Sequence, residues 1–298
     1  MQTISVVIPL YNKAREIERC LQSVAAQTIA PHEILVVDDG STDQSAEIVS
    51  RGTDERVRLI QQTNQGVAAA RNRGIQESSG DGIAFLDADD EWKPDFLKTV
   101  LTLSHHFPQA GLYATGCEEI ADSSGPPLNH RSEGLPEGPG GALIDFFRSM
   151  YRYPPVCSSN TLCRREVFDV VGGFPVGEEL AEDWDMWSRI ALRYPVAYDP
   201  SIEAIYHIAA DNRATQRESF SGRDTALLVT LRSALEAGEF PYTRPAWVKR
   251  FMAKHLLEIA KHGIAAGERS GTRARIREAW QLHALHGKCL RWWFKSLV

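Results

Sequence analysis

Carboxylates recur in this 298-residue chain where ion binding or proton transfer could use them. Asp87-Ala88-Asp89-Asp90 follows a short apolar run over residues 83–86. At a strand end, side chains two residues apart point the same way, so Asp87 and Asp89 can converge on one ligand. Two hard carboxylates that leave sites for water and phosphate oxygens suit Mn²⁺ or Mg²⁺ carrying a nucleotide diphosphate. A second acidic stretch, Asp38-Asp39-Gly40-Ser41-Thr42-Asp43, ends another apolar run. Ser41, Thr42 or Asp43 would serve as a helix N-cap, but Asp38 and Asp39 close a strand, where unpaired charge is costly. A third pair, Glu182-Asp183, opens a helical pattern that carries Trp184 and Trp187. Acids in the first turn of a helix complement its dipole.

The elements that must position these groups alternate. Residues 4–10, 33–37, 57–60 and 83–86 are short, β-branched apolar runs, the pattern of strands buried on both faces. Between them lie helical spacings: Ile17, Leu21 and Val24, then Phe96, Val100 and Leu103. Ala68, Ala69, Ala70 and Gly74 give the intervening helix a face small enough to pack closely on a sheet. This alternation predicts an α/β fold with an open, mixed, mostly parallel sheet and helices on both faces. Ligands of such sheets bind at the carboxyl ends of the strands.

Nine Gly or Pro fall within residues 122–141, so that stretch reads as a mobile loop. Residues 142–207 mix helices and strands around a Gly172-Gly173-Phe174-Pro175 turn, and the pattern beyond Asp211 is helical. Val248, Met252, His255, Leu256 and Ile259 share one helix face. His255, His262, His283 and His286 are expected on helix surfaces, having no carboxylate beside them.

The net charge of −6 conceals an asymmetry: residues 245–298 hold 11 Lys and Arg against 3 Asp and Glu, while the rest is strongly acidic. An acidic body excludes a nucleic-acid-binding core. The basic tail, with Trp292, Trp293 and Phe294 between Arg291 and Lys295, fits peripheral contact with an anionic membrane surface, or docking on this chain or a second subunit of a homo-oligomer. Five Cys without a C-x-x-C pair indicate reduced thiols and a cytoplasmic protein. No G-x-G-x-x-G or Walker A pattern follows the first strand, so a metal is the natural means of neutralising phosphate.

Five ordered segments carry a resemblance: Ile8-Pro9-Leu10-Tyr11-Asn12; Val36-Val37-Asp38-Asp39-Gly40-Ser41-Thr42-Asp43; Asn64-Gln65-Gly66 with Ala70-Arg71-Asn72-Arg73-Gly74; Asp87-Ala88-Asp89-Asp90; and Glu182-Asp183-Trp184-Asp185. Together they resemble family 2 glycosyltransferases of the GT-A fold, over about residues 2–210. The resemblance implies a catalytic region over 1–210: a nucleotide-binding half over 1–120, the loop over 121–141 and an acceptor half over 142–210. A basic helical extension over 211–298 follows. It also implies roles. Pro9, Tyr11 and Asn12 would lie under the nucleobase, Asp39 would accept its imide N–H, and Asp38 would hold the surroundings. Arg71 and Asn72 would approach the ribose or diphosphate, and Asp87 the ribose or sugar. Asp89, with Asp90 as a possible partner, would ligate Mn²⁺ or Mg²⁺; His207 is a further candidate ligand, two positions earlier than the family's usual His. Asp183 would be the catalytic base. Ser158, Ser159 and Asn160 are expected to line the acceptor pocket.

The implied reaction moves a sugar, with inversion, from a nucleotide-diphosphate sugar such as a UDP-sugar to a glycan or lipid-linked acceptor in surface polysaccharide synthesis, with peripheral work at the inner face of the plasma membrane. Two other readings stay open at this point: a catalytically silent nucleotide-sugar-binding scaffold, and a nucleotidyltransferase.

Overall fold

The computed structural model describes residues 1–120, 132–178, 180–209, 224–265 and 267–283. The apolar runs form β1 (Ile4–Leu10), β2 (Glu33–Asp38), β3 (Val57–Gln61) and β4 (Gly82–Phe85). These strands lie parallel in the order β3-β2-β1-β4. The sheet continues through β8 (Thr161–Arg164), β6 (Leu112–Ile120) and β9 (Val196–His207) to β5 (Glu91–Trp92), and β7 (Ala142–Ile144) also pairs with β9. β6 and β9 run parallel, whereas β8, β5 and β7 pair antiparallel with their neighbours.

Alternate residues of each strand serve different faces, as the pleat requires. Val6 and Ile8 pack with α1 (Ile17–Ala25), α4 (Phe96–His106) and Val49 of α2 (Ser45–Ser50), while Val7 faces Ala68 of α3 (Val67–Glu77) on the other side. That second layer also contains α5 (Phe146–Ser149), α6 (Arg165–Val171) and α7 (Glu182–Ala191). Behind them lie α8 (Ala226–Ala237), α9 (Pro245–Ala265) and α10 (Arg269–Leu282). Helices cover both faces, so β1, β2 and β4 are buried almost throughout and need no polar alternation, whereas the edge strand β3, expected to be buried on both faces, is partly exposed.

The close approach of α3 depends on Gly74, where a Cβ would lie 2.9 Å from Val7 Cγ2 and nearer still to Cγ1. A β-branched neighbour in a strand has little freedom to yield. Gly74→Ala is therefore expected to cost about 1–3 kcal/mol by overpacking, despite alanine's better helix propensity, and urea unfolding would read it.

His255 departs from the surface expectation. It is 1% exposed, on the stripe it shares with Val248, Met252, Leu256 and Ile259, with Nε2 3.0 Å from Thr225 Oγ1. Burial, helped by Lys254, lowers its pKa to about 3, so the imidazole is neutral. The apolar stripe determined its orientation. His262 and His283 are half-buried; His286 and the Arg291–Lys295 segment lie outside the described residues, as does most of the Gly/Pro-rich stretch. Among the described residues no helix is long and apolar enough to cross a membrane.

Candidate active site

Of the five motif segments, three leave the carboxyl ends of β1, β2 and β4, one runs from the loop before α3 into that helix, and the last begins α7. After β1 the chain turns at Asn12, whose φ of 52° is one of the few positive values that an Asn tolerates. The Asn12 N–H donates to Ser41 Oγ, and its Oδ1 accepts from the Thr42 N–H. Lys13 N–H donates to Ser45 Oγ and Ala14 N–H to Asp43 Oδ2. The Ser41–Asp43 segment is thus not mainly a helix cap. Asp43 does accept from the Ser45 N–H, but the N-cap position falls at Gln44, and the hydroxyl of Ser41 fastens the first loop. Tyr11 is 39% exposed beside this turn, while Pro9, expected on the loop, is buried inside β1 opposite Val37.

Asp38 and Asp39 are each 2% exposed, and both are compensated. Asp38 Oδ1 accepts from the Ser41 N–H, and Oδ2 from Gln61 Nε2 at 3.3 Å. Asp39 receives Gln62 Nε2 and the Gln65 N–H on Oδ1 and the Gly66 N–H on Oδ2, all within 2.9 Å. A carboxylate has about four acceptor sites, so these three donors leave capacity for one more. Asp39 closes the strand at low cost because the start of α3 offers it the Gln65 and Gly66 N–H groups.

Arg71, on α3, joins two motifs that lie far apart in the chain. Its Nη2 donates to Asp87 Oδ1 at 2.7 Å and its Nη1 to Glu182 Oε1 at 2.8 Å, with the guanidinium 5.3 Å from the Phe174 ring centroid. Burial opposes its charge, but Asp87, Glu182 and Asp183 outweigh burial and hold its pKa above the ordinary value. Its Nε is buried without a hydrogen-bond partner. Asn72, expected near the ribose or diphosphate, instead clamps Phe174: Nδ2 donates to its carbonyl and Oδ1 accepts its N–H. Adjacent residues of a helix point about 100° apart, so Arg71 and Asn72 of α3 serve different neighbours.

Asp87 and Asp89 each meet their own cation. Asp89 Oδ2 lies 2.7 Å from Lys13 Nζ, and the Asp89 carbonyl accepts from Arg19 Nη2. Asp90 is 1% exposed, and takes hydrogen bonds from Ser159 Oγ and the His207 N–H. Burial, then the charges of Asp89 and Asp87, push its pKa well up, and its two hydrogen bonds tie it into the turn as a structural carboxyl. Ser159 Oγ also accepts from the Asp87 N–H, and Asn160 Nδ2 donates to the Thr115 and Pro155 carbonyls. The Ser158–Asn160 turn, expected to line the acceptor pocket, is buried and supports the acidic loop through Ser159. His207, expected on the metal, has Nε2 2.8 Å from Glu91 Oε1. Among the described residues no three His, Cys, Asp or Glu side chains converge as a metal cage. Asp89 still fits Mg²⁺ or Mn²⁺, which take most ligands from water and phosphate and only one or two carboxylates from protein.

Asp183 is half-buried in the first turn of α7, and its Oδ1 accepts from the Trp184 N–H at 2.8 Å. Burial raises its pKa to about 7, Glu182 and Asp87 add to the rise, and Arg71 and the Trp184 N–H oppose it. The preceding Ala181 adopts a left-handed φ of 64°. Trp184 packs against Phe251 and His255, and Lys254 Nζ lies 5.9 Å from its ring centroid. Asp185, 2% exposed, is held by Arg189 Nε and Thr230 Oγ1. The base candidate is therefore oriented by α8 and α9. Lys13, Glu182 and Glu91 received no role from sequence. Glu182 stood inside the Glu182-Asp183 motif and Lys13 directly after Tyr11-Asn12, whereas Glu91 carried no signal.

An open sheet with acidic turns at its carboxyl edge and a helix-borne carboxyl tuned towards neutrality defines the GT-A class. Residues 5–172 match glycosyl transferase family 2, and the chain belongs to that family. It is 32% identical over 210 residues, 68% of this chain, to the uncharacterized glycosyltransferase alr2836 of Nostoc sp. strain PCC 7120, covering 62% of that protein. It is 43% identical over 103 residues, 34% of this chain, to the uncharacterized glycosyltransferase YibD of Escherichia coli K12, covering 30% of its length. The fold matches the crystal structure of S. aureus TarS residues 1–349 in complex with UDP-GlcNAc, with a TM-score of 0.75 and 18% identity over 98% of this chain and 89% of that one.

Proposed function

We propose that the protein transfers a sugar from a nucleotide-diphosphate sugar, a UDP-sugar, to a hydroxyl of a glycan or lipid-linked acceptor in surface glycan synthesis, by single displacement with inversion. The observation that carries this reading is Asp183: a carboxyl with a pKa of about 7, linked through Glu182 and Arg71 to Asp87 of the acidic turn. The donor class is supported by the UDP-GlcNAc and UDP complexes of the TarS neighbour.

In the proposed reaction the acceptor oxygen bonds to the anomeric carbon as the bond from that carbon to the diphosphate oxygen breaks, its electron pair leaving with the nucleotide. The transition state has oxocarbenium character, as in glycoside hydrolysis. The alcohol proton passes to Asp183, whose other oxygen is fixed by the Trp184 N–H. Arg71 keeps Asp87 oriented towards the donor's ribose or sugar, Tyr11 offers a face for the base, and Asp39 has an acceptor site for its imide N–H. Mn²⁺ or Mg²⁺ held by Asp89 would supply Lewis-acid neutralisation of the departing diphosphate.

The test is to screen nucleotide sugars for release of nucleoside diphosphate with Mn²⁺ or EDTA, without acceptor. Slow, metal-dependent hydrolysis of one donor is expected. A protein that neither binds nor turns over any nucleotide sugar would overturn the reading. With the donor found, the pH profile follows from the sign of the shift. A base must be ionised, so kcat/KM should rise about tenfold per pH unit below about 7 and level off above it. Glu182→Gln removes a negative neighbour that raises the Asp183 pKa and should move this limb to lower pH.

A further inference from the structure

We infer that Lys13 is a built-in counter-cation of Asp89 that competes with the divalent metal and is drawn off by the donor's diphosphate, so that metal and nucleotide bind cooperatively. This rests on the proposed function, since it concerns the same site. The ammonium lies 2.7 Å from Asp89 Oδ2, and both side chains are nearly enclosed, 10% and 13% exposed.

The backbones at both ends of this pair are fixed. The Lys13 N–H is held by Ser45 Oγ, and its carbonyl accepts from the Glu16 and Ile17 N–H groups that begin α1. The Asp89 carbonyl is held by Arg19, and the turn is closed by the Asp90 N–H on the Asp87 carbonyl. Only the side chains can part, and a lysine stem is long and flexible while its ammonium is a mobile point charge.

Asp89 differs in this from its acidic neighbours. Asp39 is tied by two backbone N–H groups, Asp90 by Ser159 and a backbone N–H, and Asp87 by a buried guanidinium that Glu182 also grips. None of those can be released without unmaking the local fold. The Lys13–Asp89 contact joins a flexible stem to a carboxylate oxygen, so the ammonium can leave that oxygen for another anion. A dication approaching Asp89 meets a like charge already seated on its ligand oxygen, so the free protein holds metal weakly. A diphosphate gives the ammonium an alternative anion and brings its own oxygens to the metal. By linkage, whatever factor the nucleotide adds to metal affinity the metal adds to nucleotide affinity.

Mn²⁺ binding followed by electron paramagnetic resonance, with and without UDP, tests this on the full chain. Lys13→Gln should bind Mn²⁺ alone about tenfold more tightly than wild type, bind UDP in EDTA more weakly, and show a smaller UDP-induced gain in Mn²⁺ affinity. Lys13→Arg, which keeps the charge, should stay near wild type, and matching circular dichroism spectra would show that both variants fold. Unchanged or weaker Mn²⁺ binding by Lys13→Gln without UDP overturns the inference. So does UDP binding with no Mn²⁺ bound by any variant. In both cases a protein that still binds UDP leaves the glycosyl-transfer reading intact. That reading itself fails if wild type binds neither UDP nor a UDP-sugar with Mn²⁺ present.

Discussion

Asp183→Asn is expected to lower kcat by about 10²–10⁴-fold, the usual contribution of a positioned general base, while the affinity for nucleotide stays within a few-fold of wild type. Asparagine keeps the shape and an oxygen for the Trp184 N–H, so the start of α7 is retained. What disappears is the ability to accept a proton. Charge repulsion with Glu182 also disappears, so the variant should be no less stable than wild type. Steady-state rates beside calorimetric titration of UDP make the check. A variant within threefold of wild-type kcat would place the base elsewhere, whereas loss of UDP binding would mean that Asp183 holds the donor.

Arg71→Met is expected to destabilise the protein by about 3–5 kcal/mol, because breaking a buried ion pair leaves its carboxylates uncompensated. Two acids depend on this guanidinium, Asp87 at 2.7 Å and Glu182 at 2.8 Å, and Arg71 itself is 3% exposed. Methionine has nearly the length of the stem and still packs near Phe174, so the loss reports charge rather than a cavity. Arg71→Lys should fall between the two, since one ammonium cannot match a planar fork that bridges both acids. The urea midpoint reads both variants, provided the slope is unchanged. A shift worth less than 1 kcal/mol would mean that water or nearby groups compensate the acids.

The strands, the two helical layers and the acidic turns were legible because local pattern specifies them. Consecutive β-branched residues indicate burial on both faces, and the small residues of α3 indicate its close approach at Val7. What the sequence concealed is pairing between segments distant in the chain. Arg71 and Glu182 are separated by 111 positions, and nothing in either neighbourhood names the other. Asn72 and Pro9 fall within motifs yet serve Phe174 and β1, because a motif records a region and not the direction of each side chain. His255 is the opposite case: its apolar stripe is visible in the sequence, and that stripe, not the lack of a neighbouring carboxylate, decides its buried place.

Trp184 leans on Phe251, Lys254 and His255, all of which come more than sixty residues after it. During synthesis, then, the acidic turns and Asp183 itself emerge from the ribosome well before the part that steadies α7 has been made. A chain halted between these points would carry every group named for chemistry and lack the wedge that aims one of them. The ability to hold a nucleotide and the ability to use it would thus mature at different moments in the life of one nascent polypeptide.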